Sequence, residues 1–67
     1  MKASYDPKAD AVYLGFGAGK PARTEEVRPG VVFDFDESGR IIGIEILDAS
    51  RTLAGDPQDI VSKPGCG

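Results

Sequence analysis

A single cysteine, Cys66, and no histidine stand in this chain of 67 residues. One thiol cannot close an internal disulfide, and without imidazole there is no Cys/His set for structural zinc. The usual general base of hydrolytic enzymes is missing too, and Ser4, Thr24, Ser38 and Ser50 have no recognisable activating neighbour in sequence. Long apolar runs are also lacking. No segment approaches the ~20 residues needed to cross a bilayer, and the opening eight residues lack the apolar stretch of a signal peptide, so no membrane partner and a cytoplasmic location are expected. The eight basic residues are scattered and the formal charge is −3. Direct nucleic-acid binding, which needs clustered positive charge, is thereby disfavoured.

What is present is a hydrophobic fraction of 40%, gathered in short runs. That fits one folded domain, but so short a chain buries only ~60% of its unfolded surface. With disulfides and zinc excluded, association with another chain is the expected supplement, and a protein partner or self-association is the expected mode of action.

Period-two alternation marks the strands. Residues 2–5 and 11–16 form an expected hairpin around Asp6-Pro7-Lys8-Ala9-Asp10, in which an Asp side chain caps the turn and Tyr5 opposes Val12, as Ala3 opposes Leu14. The glycine-rich stretch 15–21 ends the second strand. Residues 22–28 have Val27 as their one large apolar side chain and suit an edge strand, with Pro29-Gly30 in a type II turn behind them. The strongest hairpin runs through residues 31–47. Its apolar faces align Val31, Phe33 and Phe35 with Ile46, Ile44 and Ile42, which implies a two-residue turn at Ser38-Gly39 with Glu37 opposite Arg40. Asp48 then caps one or two helical turns ending before Gly55 and Pro57.

These features together predict a mainly β fold, an antiparallel meander of four to five strands with strand order following the chain and a short C-terminal helix on one face. Residues 1–54 form the domain and residues 55–67 a loosely held tail. The expected core is Tyr5, Val12, Leu14, Phe16, Val31, Phe33, Phe35, Ile42, Ile44, Ile46 and Leu53. Tyr13, Val32, Ile41 and Leu47 fall on the opposite face and form the expected interface, with the edge at residues 1–5 less guarded by charge than that at residues 22–28.

The run Ser4-Tyr5-Asp6-Pro7-x-x-Asp10-Ala11-x-Tyr13-Leu14, the central Pro29-Gly30-Val31 and the stretch from Asp36 to Ser50 resemble the short prokaryotic family known as domain of unknown function 2283. The resemblance implies a small β-rich module with no assigned reaction, cofactor or site residues. Its members are often encoded beside small toxin-like proteins, which implies an antitoxin-like, partner-binding role.

Two local motifs point elsewhere. Asp34-x-Asp36-x-Ser38-Gly39 with Glu45 at the twelfth place has the spacing of an EF-hand calcium loop, the basis of an alternative reading as a weak calcium-binding module. An EF-hand needs flanking helices, whereas strands flank this segment, so a solvated acidic face is the simpler reading and no metal ligand is assigned. Gly15-Phe16-Gly17-Ala18-Gly19-Lys20 is one residue short of a phosphate-binding loop, and Pro21 stands where Ser or Thr would touch magnesium. The paired Asp34 and Asp36 share a water-facing strand side, where high dielectric weakens their coupling. Cys66, between glycines, reads as an unperturbed thiol. No catalytic residue or cofactor follows, and a non-enzymatic protein is expected.

Overall fold

The computed structural model describes residues 1–17 and 19–62. Five strands, β1 (Lys2–Asp6), β2 (Ala11–Gly15), β3 (Arg23–Arg28), β4 (Val31–Phe35) and β5 (Ile41–Ile46), precede two short helices, α1 (Ala49–Thr52) and α2 (Pro57–Ser62). All neighbouring strands are antiparallel, in the order β1-β2-β5-β4-β3. The architecture is the expected mainly β, meander-like sheet, with two short C-terminal helices in place of the one expected. The strand order departs from chain order at one step, where β2 leads to the far edge and the chain meanders back until β5 lies beside β2.

The charge on β3 explains this step. Chain order would set Arg23, Glu25, Glu26 and Arg28 in the sheet interior and the isoleucine-rich β5 at an edge. In the observed order every residue of β3 is exposed at an edge, while β5 is paired on both sides. Crossing three inter-strand spacings requires about 14 Å. The seven residues 16–22 can span about 23 Å. Of these, residues 19–22 lie beside the β4–β5 turn.

The β1–β2 register pairs Tyr5 with Val12 and Ala3 with Leu14, as the alternation predicts. In the second hairpin Val31 pairs with Ile46 and Phe33 with Ile44, but Phe35 pairs with Ile41 and not Ile42. The turn has three residues instead of two: the Gly39 amide donates to the Asp36 carbonyl (3.0 Å), the Asp36 amide donates to Arg40 (2.8 Å), and Gly39 has φ 88°. Such loops end in a left-handed residue. Asp36, not Glu37, therefore opposes Arg40, and a bulge at Ile42 absorbs the odd residue and restores the register of the long apolar rows.

Among the described residues, Val12 at 1% exposure, Ile42 and Ala49 are the buried hydrophobic side chains. Tyr5, Leu14, Val31, Phe33, Phe35, Ile44, Ile46 and Leu53 are half-buried, and Arg23 lies over the Phe35 ring with its guanidinium carbon 4.5 Å from the centroid. Phe16, expected in the core, is 46% exposed because it lies past the end of β2, where the chain leaves the sheet for the glycine loop.

The C-terminal region needs two corrections. Asp48 has left-handed backbone (φ 50°) and makes no side-chain cap on α1. The segment expected as a tail from residue 55 contains α2, which packs on β1 and buries Pro57. Pro57 starts this helix and does not merely stop the preceding one: proline suits the first helical position, and the Asp56 carboxylate accepts the Gln58 amide at 2.9 Å. Ala3 and Tyr5 are the sheltered residues of β1, so α2 covers that face. Residues 63–67, with Cys66, lie outside the described residues.

Candidate functional site

Polar side chains converge at two places, one at each end of the sheet. The first joins the β1–β2 turn to α1. The Asp6 carboxylate caps the turn by accepting the amides of Lys8 (3.0 Å) and Ala9 (3.4 Å), which leaves Asp10 in left-handed backbone at φ 52°. From there Asp10 accepts the Tyr5 hydroxyl at 2.8 Å, the Ser50 hydroxyl at 2.6 Å and the Ser50 amide at 3.1 Å, while its carbonyl accepts the Ala49 amide at 2.8 Å. Asp10 thus satisfies the open amides at the start of α1 from forty residues away, the role that the sequence suggests for Asp48.

This cluster holds its protons in their resting places. Hydrogen bonds from Ser50 and then Tyr5 keep the Asp10 carboxyl below the ordinary value of 3.8, and the bond to Asp10 raises the Tyr5 phenol above 10.0. A general base or acid works best with a pKa near the operating pH, and both shifts move away from neutrality. The arrangement is a clamp between the turn and α1. The alternation predicts Tyr5 opposite Val12, but nothing local in the sequence signals the bonds of Asp10 to Tyr5 and Ser50.

The second place is the β4–β5 turn. Oδ1 of Asp36 accepts the Ser38 amide (2.9 Å), the Ser38 hydroxyl (2.8 Å) and the Arg40 amide (2.9 Å), and these bonds, that from Arg40 first, lower its pKa. Asp34 accepts the Thr24 hydroxyl across β3 at 2.8 Å. Glu45 pairs with Val32, well along β5. The residues of the calcium-loop spacing are therefore spread over a turn and two strands, because a hairpin separates what a helix-flanked loop would wrap around an ion. Among the described residues no three His, Cys, Asp or Glu side chains stand close enough to hold a metal. A shallow cleft separates this turn from the crossing loop, lined by Gly19, Lys20, Pro21, Ala22, Asp36, Glu37 and Ser38. The loop leads into β3, so no helix start supplies the amide donors of a phosphate loop.

The expected interface residues divide. Tyr13 and Val32 flank Glu45 in one cross-strand row, and Leu47, two residues beyond Glu45, follows at 37% exposure. The bulge instead sets Ile41 opposite Phe35, out of that row, at 41% exposure. Tyr13 also has a role within the chain: its ring lies across Gly43 and Gly15, so a Cβ at Gly43 would collide with the phenol. Glycine inside a paired strand marks such a close approach. Gly43→Ala is expected to turn the ring outward and cost about 1 kcal/mol, the lower end of the cost of overpacking, with most of the loss absent when Tyr13→Ala is already present. Melting curves of the two single variants and the double variant measure that coupling; fully additive losses would show that the ring does not rest on Gly43.

Comparison with known proteins adds kinship without chemistry. Residues 2–50 match the model of a family described as "Protein of unknown function (DUF2283)". The chain is 33% identical over 61 residues to "Uncharacterized protein MJ0789" of Methanocaldococcus jannaschii, a match covering 91% of this chain and 52% of that protein. The chain thus spans about half the length of this curated relative. No solved structure matches it.

Proposed function

The chain belongs to the family described as protein of unknown function (DUF2283), and from that premise we propose that it is a non-enzymatic interaction module that completes its apolar packing on another polypeptide, in the manner of an antitoxin. One observation carries the proposal. Val12, Ile42 and Ala49 are buried, whereas Tyr13, Phe16, Val27, Ile41, Leu47 and Ile60 are each more than a third exposed. A small domain with more large apolar side chains in water than fully buried is short of cover, and surfaces of this kind are ordinarily occupied. The polar clusters support the same reading, since their carboxylates are engaged in holding turns and α1. No helix among the described residues is long and apolar enough to cross a membrane.

The product of the adjacent reading frame is the partner to try first. Co-expression is expected to give a complex that survives gel filtration. Leu47→Glu, at an exposed position, should weaken it at least about tenfold without lowering the melting temperature. If the chain neither forms that complex nor self-associates at about 100 μM, the interaction reading is lost.

A further inference from the structure

We propose that β1 is a self-complementary edge on which a second copy of this chain docks, joining two five-stranded sheets into one; this rests on the interaction reading and names the partner. β1 and β3 are the outer strands, and each leaves alternate amides and carbonyls without a strand partner. Their sequences treat self-pairing in opposite ways. β1 reads Lys2-Ala3-Ser4-Tyr5-Asp6, so an antiparallel pairing about a two-fold axis at Ser4 sets Lys2 of each copy opposite Asp6 of the other. It also sets Ala3 opposite Tyr5 on the helix-covered face. The same operation on the full length of β3 sets Arg23 opposite Arg28 and Glu25 opposite Glu26, like charges in both cases, and β3 is further bent by a bulge between Glu26 and Arg28. Opposite charges across strands favour pairing and like charges oppose it. At full overlap one edge sets opposite charges against its own copy and the other sets like charges.

Two further features agree with this placement. Lys2, Ser4 and Asp6 are exposed on the face away from α2. On the other face α2 packs on β1 itself and carries Ile60, 44% exposed. The two-fold axis would bring both α2 helices to the seam, where Ile60 of each copy gains apolar cover. Such an interface is isologous and closes at two copies.

Sedimentation equilibrium tests the pairing. The chain is expected to shift with concentration from 7.1 kDa toward twice that mass. Lys2→Glu replaces two attractive cross-strand pairs by two repulsive ones and should raise the dimer Kd at least about tenfold with the circular dichroism unchanged. Lys2 is the position to vary because Asp6 also caps its own turn. A second measurement does not depend on affinity: Ser4→Cys in a Cys66→Ser background should form an inter-chain disulfide under mild oxidation, because the two-fold axis sets position 4 of each copy opposite the same position of the other. A chain that stays at 7.1 kDa at every concentration overturns the proposal. So does a dimer indifferent to Lys2→Glu that fails to cross-link at position 4, although association by another surface would leave the interaction reading standing. Loss of both self-association and the adjacent-frame complex would remove that reading as well.

Discussion

Replacing Phe33 by alanine is expected to lower stability by about 3 kcal/mol, the lower end of the cost of removing a core phenylalanine. Phe33 occupies the middle of the row Leu14, Ile44, Phe33 and Glu25, and its ring centroid is 6.2 Å from that of Phe35. It is half-buried, which sets the cost at that lower end. A domain of this length has a total stability of about 3–10 kcal/mol, so the substitution removes between about a third and all of it. Chemical denaturation followed by circular dichroism reads the loss directly. Val27→Ala serves as the control, since Val27 sits 45% exposed at the β3 bulge and should change stability by no more than about 0.5 kcal/mol. Equal midpoints for the two variants would show that Phe33 does not face the packed side of the sheet.

The second large effect is expected from Asp10→Ala. That substitution removes the acceptor of the Tyr5 hydroxyl, the Ser50 hydroxyl and the Ser50 amide together, while leaving its own carbonyl to hold Ala49. Three donors lose their partner in one step, and α1 is too short to persist without being tied to the sheet. Amide hydrogen exchange should show residues 49–52 losing protection ahead of the β2–β5 pairing. An independent readout is the phenol: ultraviolet titration should show the Tyr5 transition moving down toward 10.0, because its upward shift comes first from the bond to Asp10. Wild-type stability should also depend on acid in a defined direction. The folded pKa values of Asp10 and Asp36 lie below 3.8, so their contribution is complete above that pH and fades as pH falls through the folded values. Asp10→Ala should flatten the acid limb of a plot of melting temperature against pH. An unchanged limb together with an unchanged Tyr5 titration would mean that the clamp is not formed in solution.

Neighbouring residues carried most of what could be read in advance. The alternation in residues 2–16 placed Tyr5 against Val12, and that in residues 31–47 placed Phe33 against Ile44. The odd turn was hidden because Asp36, Ser38 and Gly39 suit either loop length; only the three bonds gathered on Asp36 Oδ1 distinguish them. A two-residue turn would set Ile41 on the face of Tyr13 and Val32, whereas the bulge sets it against Phe35. Proline was ambiguous for a similar reason. After Gly55, Pro57 reads equally as the end of one helix or the start of another, and burial against β1 favours the second.

Local alternation, turn chemistry and charge by themselves determined that this chain is an antiparallel β domain, where each strand falls to within a residue or two, and that β3 with its four charges suits an edge. Those properties depend on residues within one strand or one turn, where side-chain direction follows a period of two. The tertiary structure alone decided that β5 inserts between β2 and β4, that Asp10 caps α1 in place of Asp48, and that Gly43 makes room for the Tyr13 ring. Each of these brings together groups about thirty to forty positions apart, and a local pattern carries no record of such contacts. They form because the isoleucine-rich strand gains most by pairing on both sides, which fixes the neighbours that every other polar group must then use.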